Sequence, residues 1–353
     1  MIQDFFRSDL SDFTAYELGK TDYKVRLDAN ENFSNLSCEV RAKIAWAIED
    51  SIFNRYPDPG ASEVCALYAK YAKVKSENVM AGNGSDECIQ IITNTFLDTG
   101  DKVILTSPDF AMYELYTKVA GGIPIELPLD SEFKFNVDGF ISMANKEKVK
   151  IVFLSNPNNP TGGIIQRADI IKIIEGCSCI VVIDEAYIEF YGQSIVDKVE
   201  SYENLIVLRT CSKIGLAAIR LGFLITNLVL MAELKKVKPP FNVNAITQSI
   251  ACVIFKNPDI IQKHIERILT ERKYLWKKLS DIHGIKLYKS EANFILIKFE
   301  NAQKTKERLL ETGIKVRSFT STALQNCLRI TVGSREENDY LTTNISHENN
   351  AFI

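Results

Sequence analysis

The chain has 353 residues, of which 46% are hydrophobic and 25% charged, and 42 Lys and Arg against 45 Asp and Glu leave a formal net charge of −3. These proportions are those of a folded globular chain and exclude a disordered, collagen-like or coiled-coil protein. The length favours two domains. The nearly neutral charge, without blocks of one sign, makes nucleic acid and anionic membranes poor partners.

The N-terminus and the cysteines indicate where the protein works. Residues 1–13 lack a basic start followed by an apolar run, so we expect no secretory signal. The closest cysteines, Cys177 and Cys179, are spaced too tightly for a CxxC zinc site, so we expect no metal. The most apolar stretch, residues 219–231, is too short to cross a bilayer. We therefore predict a cytoplasmic protein with reduced thiols.

From residue 78 onward, short apolar runs alternate with helical stretches. The runs are residues 78–82, 102–107, 122–127, 149–155, 179–185, 204–210 and 221–226. Most are apolar at consecutive positions, which is typical of strands that helices cover on both faces. The pattern predicts an α/β fold with a mainly parallel sheet, whose ligands bind beyond the carboxyl ends of the strands.

The C-terminal part follows a different pattern. Pro258 suits the first turn of a helix, and apolar residues recur at helical spacing from there to Leu279. Further on, a helix near residues 302–312 lies among four strand-like segments, residues 285–290, 292–299, 314–318 and 327–333. This mixture is typical of a smaller α+β domain.

These patterns predict three parts. Residues 33–240 form a large domain, residues 241–353 a small C-terminal domain, and residues 1–32 an N-terminal arm that joins the small domain. Residues 344–353 are polar and aperiodic, and we expect them to fray.

The segment GNGSDE, residues 82–87, follows a predicted strand and opens a helix. Gly84 permits close approach of the backbone, and Ser85 is a suitable N-cap. Free N–H groups at a helix N-terminus bind anions, so this segment can hold a phosphate. Asp86 and Glu87 equally fit an ordinary first turn that has no ligand.

Two further strand ends carry polar side chains. The turn NPNNPTGG, residues 156–163, follows one strand, and Asp184 and Glu185 end the next. Because one strand–helix–strand unit separates them, Asn159 and Asp184 can face one ligand. A plain turn and a solvated acidic pair remain alternatives. A magnesium-dependent nucleotide triphosphatase is excluded, since the chain lacks the GxxxxGK[ST] phosphate loop.

A third strand end leads into LRTCSKIGLAAIR, residues 208–220. Lys213 lies here beside the hydroxyls of Thr210 and Ser212, and Arg220 follows seven residues later. A lone lysine after a strand is usually solvated. Hydroxyls and a guanidinium suit a phosphate, however, and a lysine amine can form a Schiff base with an aldehyde.

Pyridoxal phosphate needs all of these groups at once. It requires a Schiff-base lysine, a carboxylate for the ring nitrogen, donors for the ring oxygen and a phosphate cradle. The candidates are Lys213 for the Schiff base, Asp184 for the nitrogen, Asn159 and Tyr187 for the oxygen, and Ser85, Thr210, Ser212 and Arg220 for the phosphate. Their joint presence at strand ends predicts this cofactor.

The order NPNNPTG, DEAY and SK with a following arginine resembles the fold-type I pyridoxal phosphate aminotransferases, over nearly the whole chain. RLDANEN (26–32), NRYPDP (54–59), SPDFAMYE (107–114), SEANFIL (290–296) and CLRITVGSREEN (327–338) are similar to segments of the histidinol-phosphate aminotransferase family. The resemblance implies an aspartate-aminotransferase-like α/β fold. It also implies transamination between histidinol phosphate and 2-oxoglutarate in histidine biosynthesis.

The resemblance assigns roles to single residues. Lys213 would hold the cofactor and move the substrate proton, with Asp184 and Tyr187 as further catalytic residues. Phe110 would stack on the ring. The remaining cofactor-binding residues would be Gly84, Ser85, Asp86, Asn159, Thr210, Ser212, Arg220 and Tyr56.

The resemblance also implies partners. Tyr56 would reach the cofactor phosphate of a neighbouring subunit, which implies a homodimer. Arg329 and Arg317 would bind the substrate anion, and Tyr16 and Asn30 would line the same pocket. A plain surface position on the small domain remains the alternative for Arg317.

The chain departs from the family pattern at several positions: SKIGLAAIR is one residue short between Lys213 and Arg220, and Phe33 stands where a proline commonly follows the ANEN run. A phosphothreonine decarboxylase and an aromatic amino acid aminotransferase share the implied fold and remain alternatives. A regulator built on this fold would need an added DNA-binding module, for which the chain has no room.

Overall fold

The computed structural model describes residues 2–7 and 23–349, which form two β-sheets surrounded by helices. The strands are β1 (Val25–Leu27), β2 (Val79–Gly82), β3 (Lys102–Ser107), β4 (Ile123–Pro128), β5 (Ile151–Ser155), β6 (Ile180–Asp184), β7 (Leu205–Thr210), β8 (Gly222–Thr226), β9 (Ile285–Leu287), β10 (Phe294–Phe299), β11 (Ile314–Ser318) and β12 (Cys327–Thr331).

The helices alternate with these strands along the chain. They are α1 (Cys38–Glu49), α2 (Ser62–Ala72), α3 (Ser85–Phe96), α4 (Met112–Val119), α5 (Val137–Lys146), α6 (Arg167–Gly176), α7 (Leu228–Val237), α8 (Ala245–Phe255), α9 (Asp259–Ser280), α10 (Ala302–Glu311) and α11 (Arg335–Asn349). No helix of the described residues combines the length and the apolar composition needed to cross a membrane.

The large sheet has the order β2-β8-β7-β6-β5-β3-β4. Its strands are parallel except β8, which runs antiparallel to both of its neighbours. Side chains of a strand alternate between the two faces, and here both faces are buried. In β5, Ile151 and Phe153 pack with α3, α4 and α7, whereas Val152 and Leu154 pack on the opposite face. The predicted mainly parallel α/β sheet is thus confirmed.

The small sheet has the order β1-β11-β12-β10-β9. Val25 pairs in parallel with Ile314, so the segment that contains β1 joins this sheet. The division of the chain at residues 32 and 240 stays a prediction.

One expectation about the C-terminus is wrong. Residues 344–349 continue α11 instead of fraying, because Leu341 and Ile345 are buried on one face of that helix. Residues 350–353 lie outside the described residues.

Candidate active site

The predicted site residues follow strands of the large sheet. Because β2, β3, β5, β6 and β7 run in the same direction, their carboxyl ends meet at one edge. Five predicted residues follow these ends, namely Ser85, Phe110, Asn159, Tyr187 and Lys213. The neighbouring ends of β5 and β6 are in register, Ser155 pairing with Asp184. The structure therefore brings the predicted motifs together.

Asp184 is only 3% exposed and lies at the end of β6. Its Oδ2 accepts a hydrogen bond from the Tyr113 hydroxyl at 2.7 Å, and its Oδ1 accepts one from the Ala186 N–H at 2.9 Å. Burial raises the pKa of Asp184 to about 6, and the Tyr113 hydrogen bond opposes that rise. Within the described residues, no lysine or arginine forms an ion pair with Asp184, which leaves a buried acid suited to a cationic ligand.

Glu185 points away from this edge, although it adjoins Asp184 in sequence. Its Oε2 accepts a hydrogen bond from the buried Arg209 Nε at 2.9 Å, and the Ile195 N–H donates to its Oε1. Glu185 and Arg209 therefore form a buried structural ion pair. The sequence placed both acids at a strand end, and the packing assigns only Asp184 to the site.

Tyr187 is buried beside the N-terminal segment that carries Asn30. Asn30 Nδ2 donates to the Tyr187 hydroxyl oxygen at 2.9 Å, and the Asn30 N–H donates to Thr331 Oγ1 at 3.0 Å. Asn293 Nδ2 donates in turn to the Asn30 carbonyl at 2.9 Å. Since Tyr187 accepts from Asn30, its own hydroxyl proton can be donated to a ligand.

Lys213 lies in a 3₁₀ turn, Ser212–Ile214, directly after β7. Its Nζ is 3.4 Å from the Ala29 carbonyl oxygen and 5.8 Å from the centre of the Tyr187 ring. The turn ends at Gly215 with φ of 101°, where a Cβ would come within 2.6 Å of His264 Nδ1. His264 lies outside all the sequence motifs, and only the structure shows that it packs against this turn.

A cradle of small and polar groups surrounds the start of α3. Gly84 has φ of 85°, and a Cβ there would lie 2.8 Å from Arg220 Nη2. The same Nη2 donates to Asp86 Oδ2 at 2.9 Å. A Cβ on Gly222 would lie 2.4 Å from the Ser85 backbone nitrogen, so the adjacent strand also needs glycine. The shortened segment after Lys213 still brings Arg220 to this cradle.

Two hydroxyls lie at the end of β7 and in the turn that follows it, where Thr210 pairs with Gly222 of the adjacent strand. Thr210 Oγ1 donates to Ser212 Oγ at 3.0 Å and accepts from the Ser212 N–H at 3.2 Å. Backbone N–H groups, hydroxyls and a guanidinium are the donors that phosphates bind.

Arg329 and Arg317 lie opposite each other on β12 and β11. Directly opposed residues of an antiparallel pair project from the same face, so both arginine side chains leave the small sheet on one face. Arg329 is buried, and its Nη1 donates to Asn159 Oδ1 at 2.5 Å while its Nη2 donates to the Asp28 carbonyl at 2.6 Å. Arg317 is exposed. Adjacent like charges are unfavourable unless an anion lies between them.

Phe110 and Tyr56 differ in their surroundings. The Phe110 ring meets the Tyr113 ring edge-on with centroids 5.5 Å apart. Tyr56 is 82% exposed, and its ring stacks on that of Phe241 with centroids 4.5 Å apart. Tyr16 lies outside the described residues.

Tyr113, which binds Asp184, was not predicted from the sequence. Its position three residues after Phe110 in SPDFAMYE, on the same helical face, is the signal that could have indicated it.

Residues 22–345 match the model of the family described as aminotransferase class I and II. Histidinol-phosphate aminotransferase of Clostridium novyi is 54% identical over 339 residues, 96% of this chain and 95% of the relative. That of Clostridium kluyveri is 51% identical, over 98% and 99%. The crystal structure of histidinol-phosphate aminotransferase from Sinorhizobium meliloti in complex with pyridoxal-5'-phosphate superposes with a TM-score of 0.90 at 20% identity, covering 99% of this chain and 98% of that one.

Proposed function

The chain belongs to the class I and II aminotransferase family, and we propose that it is a histidinol-phosphate aminotransferase. It transfers the amino group of glutamate to imidazole-acetol phosphate, giving L-histidinol phosphate and 2-oxoglutarate, as a step of histidine biosynthesis; the reaction is reversible. The high identity to curated enzymes of this name over nearly their whole length carries the choice of substrate. The decarboxylase and the aromatic aminotransferase are less supported than this assignment.

Pyridoxal phosphate is the cofactor of this reaction, and the residues present fit it. Asp184 is a buried carboxylate that lacks a cation among the described residues, and a protonated ring nitrogen is such a cation. The cradle at Gly84 has room only because no Cβ is present, and Arg220 lies against it. The bound cofactor supplies an aldehyde that bonds to amines and a ring that accepts the electron pair released when the substrate loses its proton.

Each side chain has a defined task in this proposal. Lys213 would hold the cofactor through its amine, and the same amine would carry the proton that leaves the substrate carbon. Tyr187 donates its hydroxyl proton to the ring oxygen, because Asn30 already occupies its acceptor side. Asn159 donates from Nδ2 to the same oxygen, since its Oδ1 is held by Arg329. Phe110 stacks on the ring.

The phosphate of the cofactor binds at the start of α3. The Ser85 N–H, the hydroxyls of Thr210 and Ser212, and the Arg220 guanidinium are its donors in this proposal, and Asp86 keeps Arg220 oriented at 2.9 Å. This arrangement assigns Asp86 to positioning the arginine, because a carboxylate does not bind a phosphate directly.

The substrate anion binds at Arg329 and Arg317. The two arginines on β12 and β11 suit the phosphate of histidinol phosphate in one half of the reaction. In the other half they suit the side-chain carboxylate of the donor glutamate. Asn30 and Tyr16 belong to the same proposed pocket. Because Asn30 touches Tyr187, it connects this pocket to the ring-oxygen donors.

The proposal includes a cytoplasmic homodimer. Large apolar side chains stand exposed on α1, on the segment after it that carries Tyr56, and on α8, which packs against α1, and they suit the burial that a dimer provides. They are Trp46, Ile52, Phe53, Tyr56 and Ile246. In that dimer Tyr56 binds the cofactor phosphate of the partner subunit. The eight cysteines are free thiols, as the reducing cytoplasm requires.

Absorption spectroscopy of the cofactor-loaded protein tests the function. Histidinol phosphate should convert the visible band of the bound cofactor to that of its amine form, and 2-oxoglutarate should restore it. Phosphothreonine and phenylalanine serve as parallel samples, and Lys213→Ala as the inactive control. Release of carbon dioxide from phosphothreonine with no net conversion of the cofactor to its amine form, and no conversion by histidinol phosphate, would replace the proposal with the decarboxylase.

A further inference from the structure

Asp109 is a partly buried carboxylate at the end of β3 that the proposed reaction does not use. The hydroxyl of Thr106 donates to its Oδ2, and the hydroxyl of Ser155 donates to its Oδ1. The Phe110 N–H also donates to Oδ1, at 2.8 Å. Burial raises the pKa of Asp109 to about 7, and nearby Asp184 contributes to the rise. The surroundings of Asp109 are therefore hydroxyls and a backbone amide rather than a cation.

Ser155 connects Asp109 to the turn that carries Asn159. A hydroxyl has one proton, and Ser155 gives it to Asp109, so its lone pairs face the turn. They accept from Asn158 Nδ2 at 3.1 Å and from the Asn159 N–H at 3.3 Å. Without an acceptor at Asp109, this hydroxyl could rotate and leave the turn unsupported.

The same Oδ1 therefore holds two parts of the site. Through Ser155 it orients Asn159, the proposed donor to the ring oxygen, and through a backbone hydrogen bond it fixes Phe110, which is proposed to stack on the ring. β3 and β5 are adjacent strands, so Asp109 bridges their carboxyl ends. Oδ2 faces Thr106 and has no link to either group.

We propose that Asp109 is a positioning residue, whose Oδ1 aligns Asn159 and Phe110 on the cofactor. The inference rests on the proposed function, since it needs a cofactor at this edge. The positioning role requires the Oδ1 atom of Asp109 and not the negative charge of its carboxylate. Asp109→Asn keeps an Oδ1 for Ser155 and Phe110, and the Thr106 hydroxyl can turn to accept from the new amide.

Cofactor binding by the apoprotein tests this assignment. The dissociation constant of pyridoxal phosphate, measured by quenching of intrinsic fluorescence, should rise about tenfold in Asp109→Ala and in Ser155→Ala. It should stay within about twofold of wild type in Asp109→Asn. The visible circular dichroism of the bound cofactor should change in the two alanine variants, and in those that retain turnover kcat should fall more than KM rises.

Thr106→Val is the matched control, because it removes the other hydroxyl from the same carboxylate without touching Asn159. It should leave the dissociation constant and the dichroism unchanged. In the double variant Asp109→Ala with Ser155→Ala, the loss should be no larger than in the worse single variant, as expected for two members of one chain of hydrogen bonds.

Three results would overturn the inference. The first is an equal loss of cofactor affinity in Thr106→Val and Ser155→Ala, and the second is an additive loss of affinity in the double variant. The third is a lowered thermal midpoint with unchanged cofactor affinity in the two alanine variants. Asn159→Ala separates this failure from failure of the proposed function. If Asn159→Ala weakens the cofactor while Asp109→Ala does not, only the role of Asp109 is wrong. If Asn159→Ala has no effect, the proposed binding mode is wrong as well.

Discussion

Arg329 Nη1 donates a hydrogen bond to Asn159 Oδ1 over 2.5 Å, which joins β12 of the small sheet to the turn after β5 of the large sheet. The contact couples a proposed substrate-binding cation to a proposed cofactor donor. Because Arg329 fixes the amide oxygen of Asn159, the orientation of the amide is set and its Nδ2 is the atom that can donate to another group. The two sheets therefore meet in the site through side chains that contact each other directly.

Replacement of Arg329 by lysine should weaken both substrates together. A lysine lacks the planar pair of donors that reaches Asn159 and the Asp28 carbonyl at once. We expect kcat/KM to fall about 100-fold for glutamate and for histidinol phosphate, measured by steady-state kinetics. Arg335→Lys, which alters an exposed pair with Glu271, is the control. Loss for one substrate alone would mean that Arg329 and Arg317 divide the task.

Removal of the Tyr113 hydroxyl should shift the acid limb of the pH–rate profile. The Tyr113 hydrogen bond opposes the burial that raises the pKa of Asp184, so Tyr113→Phe should raise that pKa further. As the pH is lowered, Asp184 would then become protonated and lose its charge at a higher pH than in wild type. The fall in kcat on acidification should therefore begin at a higher pH. Profiles of the variant and of Tyr202→Phe, a surface control, test this. Superimposable acid limbs would refute the role of Tyr113.

The apoprotein should become more stable when Asp184 is replaced by asparagine. Because folding raises the pKa of Asp184 to about 6, the folded state binds its proton more tightly than the unfolded state. The contribution of this tighter proton binding to the free energy of unfolding is fully present below the ordinary pKa of an aspartate, and it is lost as the pH rises through 6. At pH 8, Asp184→Asn should therefore raise the free energy of unfolding by up to about 3 kcal/mol, and the gain should shrink toward pH 4.

Urea unfolding of both apoproteins between pH 4 and 8 measures this difference. The other carboxyls with a raised pKa are present in both proteins and cancel in the comparison, except Asp109, whose pKa the Asp184 charge helps to raise and which therefore adds to the gain in Asp184→Asn. With cofactor bound, Asp184→Asn should lose most of its activity, because a neutral partner does not keep the ring nitrogen protonated. A gain in stability that is independent of pH would contradict the assignment of the charge.

Substitution of Gly84 by alanine should impair cofactor binding. The new Cβ would lie 2.8 Å from Arg220 Nη2, where the phosphate cradle is formed. We expect the dissociation constant of pyridoxal phosphate to rise more than about tenfold. Gly100→Ala is matched in backbone, since Gly100 has φ of 91° and open space around it. Gly100→Ala should lower the free energy of unfolding by about 1 kcal/mol, as Gly84→Ala does, but should leave the dissociation constant of pyridoxal phosphate unchanged.

A charge placed in the exposed apolar patch should dissociate the proposed dimer. Phe53→Glu would bury a carboxylate at the interface, so we expect a monomer by sedimentation velocity and a loss of cofactor affinity, because Tyr56 of the partner subunit would be withdrawn. Val229→Glu, an exposed apolar position on α7 outside the patch, is the control. A wild-type protein that sediments as a monomer would contradict this part of the proposal.

Local sequence patterns were sufficient to predict the strands and helices and most of the motifs of the site. The consecutive apolar residues of β5, β6 and β7 indicate strands buried on both faces, and polar residues directly after them can only lie at one edge of a parallel sheet. Order along the chain thus predicted that Asn159, Asp184 and Lys213 lie together.

Tertiary structure alone decided how those residues are used. Sequence does not tell that Asp184 faces the site while Glu185 pairs with Arg209, because both acids are equivalent until the neighbouring strand and helix are packed. The hydrogen bonds from Tyr113 to Asp184, from Ser155 to Asp109 and from Arg329 to Asn159 join residues that are 46 or more positions apart. Such contacts depend on the register of strands and on side-chain burial, which no local pattern contains.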